Sequence, residues 1–533
     1  MSFCACSEAS VERSRIKPNQ AETITKNELF EEEEGLSYGA WRNSRTNEEN
    51  IPVETFHSLL AVMQVGVHGD KGILYPRSSI IRESITLDGL WEFSLSKDSS
   101  CATTGHCFQN SDVNDEDVEL MPVPASYNDV STNTKVRDHV GIARYYRRFV
   151  VPQGWQNKTV WLRFGSVCYA AEVYINEQHA VSHQIGHLPF EAEVTSLLKV
   201  HTFNNITVLV NNTLTNTTVP QGEVETLSSG RLAQTYTFDF FNYAGIDRSV
   251  VLYTTADTYI DDITITTTIS GTSGIINYDV VLEGNDIVTH VVTVIDKEGN
   301  EIVSTNESLS GTLEVPEAIL WWPYLMNENP GYLYTLRIDI FDEEGVWLDR
   351  YDQPFGIREL YWDNTSFKIN GKPLYLRGFG RHEDSDIRGK GFDLPLIIRD
   401  HNLIKWIGAN SYRTSHYPYA EEIMDLADSL GIMIVDECPA VNTEEVIAHV
   451  KSLDTTRPVT VVNNVNSTED HSGQFIDILS FNKYSGWYED EGDLDVVVKK
   501  VVDYAEAWHT EHNKPVLITE YGADTLEGLH FVS

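Results

Sequence analysis

The sequence predicts a multidomain β and α/β protein, two β-sandwiches followed by an incomplete (β/α)8 barrel, on three observations. Between Ile80 and Tyr253 short β-branched and aromatic runs are separated by turn residues, among them Leu90-Trp91-Glu92-Phe93, Tyr145-Tyr146-Arg147-Arg148-Phe149-Val150, Val160-Trp161-Leu162-Arg163-Phe164 and Ile206-Thr207-Val208-Leu209-Val210. This is the text of an all-β sandwich. From Tyr259 to about Arg358 the alternation of Ile263-Thr264-Ile265-Thr266, Val291-Val292-Thr293-Val294-Ile295 and Tyr334-Thr335-Leu336-Arg337-Ile338 continues in strands that are half buried, at a length suited to an immunoglobulin-like sandwich. After Phe367 the rhythm changes to strand then helix.

In that last region Pro373 to Phe379 reads as a strand, and Asp393 and Pro395 open a helix with Leu396, Ile397, Leu403, Ile404 and Ile407 on one face. Strand Asn410–Arg413, a helix from Glu421 to Leu430 closed by Gly431, strand Ile432–Val435, a helix from Glu444 to Lys451 and strand Val459–Val462 follow. Strand Asp477–Phe481, a helix from Leu494 to His509 and strand Val516–Thr519 complete the pattern. Successive βα units imply parallel strands, and the lack of a Gly-rich nucleotide turn favours a barrel over a doubly wound sheet. Six strands are legible rather than eight, and residues 359–533 fall short of the ~250 such barrels usually need. The expected division is 1–75, a poorly ordered extension; 76–255, the first sandwich; 256–358, the second; and 359–533, the barrel.

The 533 residues carry 39 basic and 80 acidic side chains, a formal net charge of −41. Such an acidic surface disfavours nucleic acid as a partner and reads as solvation. No apolar run approaches the ~20 residues of a membrane-spanning helix. The first fifty residues, with Glu31-Glu32-Glu33-Glu34, contain no recognisable secretory leader, whereas sequons at Asn157, Asn205, Asn211, Asn216, Asn306, Asn364 and Asn466 suit a glycoprotein of the secretory pathway. Six cysteines match neither a disulfide framework nor a structural zinc pattern, and are expected to be mostly free thiols; Cys101 and Cys107 flank a short loop that a bridge could close.

Barrels of this kind place chemistry at the C-terminal ends of their strands. Those positions hold Arg381-His382-Glu383-Asp384, Thr414-Ser415-His416-Tyr417, Asp436-Glu437, Asn482-Lys483-Tyr484 and Glu520-Tyr521-Gly522. A ring of His, Asp, Glu, Asn and Tyr suits carboxylate chemistry on a sugar. His382-Glu383-Asp384 has no second histidine at i+4, which argues against a metal, and no cofactor is expected.

The strings Asp384-Ser385-Asp386-Ile387-Arg388-Gly389-Lys390-Gly391, Thr414-Ser415-His416-Tyr417-Pro418-Tyr419-Ala420-Glu421-Glu422, Asp239-Phe240-Phe241-Asn242-Tyr243-Ala244-Gly245, Leu320-Trp321-Trp322-Pro323-Tyr324-Leu325-Met326 and Glu520-Tyr521-Gly522-Ala523 occur in one order. Together they resemble the β-glucuronidase type of glycoside hydrolase family 2, over about Asp88 to Leu529. The resemblance implies a jelly-roll β-sandwich, an immunoglobulin-like β-sandwich and a TIM barrel. It implies retaining hydrolysis of terminal β-D-glucuronic acid from glycosaminoglycan fragments or glucuronide conjugates, a lysosomal setting and a homotetramer. It implies that Glu520 is the nucleophile and that Tyr484 hydrogen-bonds beside it. Asp239 and His382 match sugar-contacting positions, with Asn482, His416 and Glu437 around the same substrate.

Retaining hydrolysis needs a second carboxyl group ~5–5.5 Å from the nucleophile. In the family this is a Glu directly after Asn at the end of the fourth strand. Here the Asn-Glu pairs begin at Asn27, Asn47, Asn176, Asn306 and Asn327, all before the barrel, and Val441-Asn442-Thr443-Glu444 runs straight into the helix preceding the next strand. One whole βα unit is expected to be missing, together with the eighth strand and the Asn-x-Lys segment that resembles the family's carboxylate clamp. Such a chain should have an open, poorly stable barrel and little activity. Glu437 is a poor substitute acid beside Asp436. A β-galactosidase or β-mannosidase of the same architecture and a catalytically silent carbohydrate-binding protein remain as rival readings.

Overall fold

The computed structural model describes residues 4–5, 73–96, 118–284, 288–439, 444–463, 465–490 and 493–522. Nearly all of the expected N-terminal extension, the Cys101 and Cys107 pair, the Val441-Asn442 junction and the chain after Gly522 lie outside the described residues. Cys168 and Cys438 are free thiols.

The first sandwich pairs a six-stranded antiparallel sheet with a four-stranded one. The larger runs in the order Glu119–Val123, Gly89–Leu95, Ile142–Val150, Phe203–Asn211, Ala170–Ile175, Gln178–His183. The smaller runs Phe190–Glu193, Thr159–Phe164, Val250–Thr255, Ser84–Thr86. Period-two alternation determines which side chains face inward: Ile206, Val208 and Val210 are fully buried on one strand and meet Leu162, Phe164 and Leu252 from the opposite sheet. Trp91, Phe93 and Tyr145 fill the same core, with the two larger ring pairs edge-on.

The second sandwich stacks Tyr259–Ser270, Ser273–Glu283 and Ser310–Val315 on the sheet Glu301–Thr305, Thr289–Ile295, Tyr334–Phe341, Trp347–Phe355. Ile276, Val292, Val294, Leu336, Ile338 and Ile340 make its dry centre. A buried ion pair ties it to the chain just ahead of the first sandwich: Arg82 Nε donates to Asp349 Oδ1 at 2.9 Å and Arg82 Nη2 to Oδ2 at 2.6 Å, with the side chains 3% and 0% exposed. The Ile260 amide also donates to Asp349, at 2.9 Å. Removing one partner strands the other charge away from water, so Arg82→Ala is expected to lower unfolding free energy by ~3–5 kcal/mol, read from the denaturant midpoint. A loss under ~1 kcal/mol would mean that water reaches Asp349.

The third region alternates strand and helix: β1 (Gly378–Arg381), α1 (Leu394–Trp406), β2 (Ser411–Thr414), α2 (Glu421–Leu430), β3 (Met433–Glu437), α3 (Glu444–Leu453), β4 (Val462–Asn463), β5 (Leu479–Asn482), α4 (Leu494–His512) and β6 (Val516–Glu520). The helices begin and end where capping chemistry dictates. Asp393 accepts from the Leu396 amide at 3.2 Å to start α1, and Asp493 does the same for Val496 on α4. Gly431 stops α2 at φ 71°, where a Cβ would lie 2.8 Å from the Trp322 carbonyl oxygen.

All pairings among β1 to β6 are parallel, but they form two groups. β1, β2 and β3 make one; β4, β5 and β6 make the other, and among the described residues β3 has no ladder to β4. The free edge of β3 is instead met by the N-terminal dipeptide Cys4–Ala5, parallel, with Cys4 opposite Asp436 and Ala5 opposite Glu437.

Three local expectations are corrected. The first strand begins at Gly378 rather than Pro373, because Asn370 and Gly371, at φ 50° and 75°, turn the chain so that Lys372–Pro373 pairs with Phe367–Ile369 in a hairpin. On α1 the buried stripe is Ile397, His401 and Ile404; Leu403 and Ile407 point outward at 47% and 50% exposure, since nothing among the described residues covers that flank. Only Val462–Asn463 forms ladder bonds where Val459–Val462 was expected, although Val459 and Val461 are buried and the Asp477 amide donates to the Val459 carbonyl at 2.8 Å.

Candidate active site

The site is assembled where β1, β2, β3, β5 and β6 end. The cation at its centre comes from β2. Arg413, 4% exposed, donates through Nη1 to Glu437 and through Nη2 to Glu520, so one guanidinium joins the carboxylates at the ends of β3 and β6. An arginine this deep is tolerable only with anionic partners, and it has one on each arm. Glu437 is completed by His416, whose Nδ1 lies 3.0 and 3.2 Å from its two oxygens, and by its own amide donating to Thr414 Oγ1 at 2.8 Å. The Glu437 side chain has no exposed surface.

Glu520 is different: its side chain is 19% exposed, and its second oxygen accepts from the Tyr484 hydroxyl. Burial first, and then the hydrogen bond and charge of Glu520, push the Tyr484 phenol far above its ordinary pKa, so that it remains a donor throughout the neutral range. The backbone supports this pair. The Lys483 amide donates to the Glu520 carbonyl at 2.9 Å, and Asn482 opposes Glu520 in the β5–β6 register, its Oδ1 accepting from Thr519 Oγ1 at 2.9 Å. Asn482 is thus engaged with β6, the strand that ends in Glu520.

His382, following β1, has its ring centroid 5.3 Å from that of His416. Asp239 is exposed on a segment reaching over from the first sandwich, anchored by its neighbour Phe240, which is 6% exposed and packs 5.2 Å from Tyr417 and 6.4 Å from His416. Behind His382, buried Glu383 faces Arg248 at 3.8 Å; burial raises its pKa while Arg248, Lys390 and Arg381 oppose that rise. Glu520, Tyr484, His416, Glu437, Asn482 and His382 therefore share the C-terminal rim of the strands, with Asp239 entering from outside.

Sequence reasoning missed Arg413 and Phe240. Arg413 had a signal, a charge in the middle of the otherwise buried strand Ser411–Thr414, which demands a buried counter-charge. Phe240 lay inside a quoted motif, but nothing in its spacing singled it out from Phe241, which is 41% exposed.

Chemically, the arrangement offers one accessible carboxylate whose two oxygens are oriented by donors, suited to attack on an electrophilic carbon. Glu437 cannot readily act as the accompanying acid. Both of its oxygens already accept from N–H donors, and it has no open face.

The family model described as glycosyl hydrolases family 2, TIM barrel domain, matches residues 362–444 and, separately, 439–532. The sugar binding domain model of the same family matches 84–256, and the model described as glycosyl hydrolases family 2 matches 258–358. A β-glucuronidase of Rattus norvegicus is 39% identical over 89% of this chain and 82% of its own length, and one of Homo sapiens is 38% identical over 87% and 81%. Among solved structures, the β-D-glucuronidase of Dictyoglomus thermophilum superposes with a TM-score of 0.78 at 35% identity, covering 86% of each chain. The β-glucuronidase of Ruminococcus gnavus in complex with D-glucaro-d-lactam gives 0.80 at 32%, with the same coverage.

Proposed function

Because the chain belongs to glycosyl hydrolase family 2, we propose that it acts on terminal β-D-glucuronides, in glycosaminoglycan fragments or conjugates, by a retaining mechanism with Glu520 as nucleophile. The observation that carries this reading is the grip on Glu520: Arg413 takes one oxygen and Tyr484 the other, leaving a lone pair free to attack the anomeric carbon. In the first step the Glu520 oxygen bonds to that carbon and the glycosidic C–O bond breaks; in the second, water displaces the carboxylate. His382, His416 and Asp239 surround the sugar, and the chain divides at 76–255, 256–358 and 359–533.

One half of the machinery is impaired in this reading. A strand–helix unit carrying the Asn-Glu acid/base is missing between 439 and 444. The separation of β3 from β4 supports this, as does the matching of the barrel model in two pieces that meet at 439–444. Departure of the leaving oxygen then goes without a proton donor. The catalytically silent carbohydrate-binding reading rests on this same gap. A lysosomal, glycosylated setting is supported by the sequons at Asn157, Asn216, Asn306, Asn364 and Asn466, all of which are exposed.

A panel of 4-nitrophenyl β-D-glucuronide, β-D-galactoside and β-D-mannoside tests the assignment. Turnover confined to the glucuronide is expected; preference for a neutral sugar would reassign the substrate, and binding with no release of phenol would leave the silent reading. Tyr484→Phe removes a hydrogen bond to a charged group, worth about 1.5–3 kcal/mol, and should lower kcat/KM for the glucuronide by roughly 10- to 100-fold with the fold intact. An unchanged kcat/KM would show that Arg413 orients Glu520 unaided.

A further inference from the structure

On the opposite side of the barrel strands from Glu520, a cavity of about 300 Å³ separates the second sandwich from the barrel. One wall is Thr266, Gln353 and Arg358 of the sandwich; the other is Asp428 at the end of α2 with Thr456 and Arg457 ahead of β4. Two arginines thus line one polar space, in a protein whose net charge is −41.

Arg358 is the unusual one. Its backbone carbonyl accepts from Thr267 Oγ1 at 2.6 Å and its guanidinium lies over the Trp321 ring, 5.5 Å from the centroid. Among the described residues the side chain makes no hydrogen bond, and no carboxylate comes within ion-pairing distance. Burial, and then the neighbouring Arg457, bring its pKa down to about 10, against the weaker attraction of Asp428 and Asp454. Arg457 is committed only in part: Nη1 pairs with Asp454, while Nε is buried without a partner. Asp454 is further engaged by Thr456, which donates to it through both its amide and its hydroxyl at 2.7 Å, so it is not free to turn to Arg358.

We propose that this cavity is a binding site for an oxyanion, sulfate or phosphate, free or as the monoester of a small molecule, held between Arg358 and Arg457. A tetrahedral oxyanion matches the planar fork of donors on each guanidinium, and its charge compensates a cation that the described residues leave unpaired. The space exceeds what the bare ion needs, since a water in liquid occupies about 30 Å³, which leaves room for an ester's organic group. The inference concerns neither Glu520 nor the sugar, and it stands whichever substrate is turned over.

Isothermal titration of the full chain with sodium sulfate, sodium phosphate and 4-nitrophenyl sulfate, each against sodium chloride at matched ionic strength, tests the site. Saturable one-to-one binding of sulfate or phosphate is expected, weakened at least tenfold by Arg358→Gln and again by Arg457→Gln. Tighter binding of the aryl ester would assign the site to esters; tighter binding of the inorganic ions, to free anions. Circular dichroism reports whether each variant folds, and Arg457→Gln on the opposite wall gives the same readout if Arg358→Gln does not. Heat indistinguishable from chloride in the unaltered chain, or equal affinity in folded variants, overturns the proposal.

Discussion

Glu520→Gln is expected to remove glucuronide turnover by about 10⁴-fold or more, the scale seen when a covalent nucleophile is lost. The amide is nearly isosteric and keeps an acceptor for one of the two donors, so the fold and the Arg413–Glu437 pair should survive. What it lacks is an anionic oxygen able to form the ester with the anomeric carbon. The same chemistry has a direct readout. A 2-fluoro glucuronide with an activated leaving group should add one glycosyl mass to the unaltered chain, on the peptide containing Glu520, and none to the variant. A label on Glu437, or residual turnover within tenfold of the parent, would remove Glu520 from its role.

The second large effect concerns the proton. If the general acid is missing, as proposed, cleavage should depend steeply on the leaving group: a nitrophenolate departs unaided, whereas an alkoxide does not. For an alkyl glucuronide kcat/KM should lie ~10²–10⁴ below that of an intact relative, the contribution of a positioned acid or base. On the same proposal the general base is missing too, so water should attack the glycosyl-enzyme slowly, and added azide, a small nucleophile that needs no deprotonation, should raise turnover of the nitrophenyl substrate and yield the β-glucuronyl azide. Its β configuration would report two inversions, and hence the covalent route. Indifference to azide combined with alkyl glucuronide rates equal to those of an intact relative would mean that another carboxyl group serves the site.

Both outcomes turn on how Glu437 is held. It stands at a strand end, 1% exposed, and a carboxyl group there could have been thought a spare acid. The two nitrogen donors on its oxygens, Arg413 and His416, give it a supporting role instead.

Much of this protein was legible before any coordinates existed. Alternation with period two, as in Ile206, Val208 and Val210, and capping residues such as Asp393, Gly431 and Asp493 act over a few neighbours, so the elements could be read locally. The order of the strand-end residues, with Glu520, Tyr484, His416 and His382 among them, followed from the same periodicity. Only the tertiary structure could say that Arg413 clasps two carboxylates from strands 24 and 107 residues away in sequence, that β3 and β4 do not pair among the described residues, or that Arg358 and Arg457 line a common cavity. Charge pairing and sheet closure depend on distances between segments far apart in the chain. Local spacing carries no record of those distances; they emerge when burial forces each ion to find, or to lack, its partner.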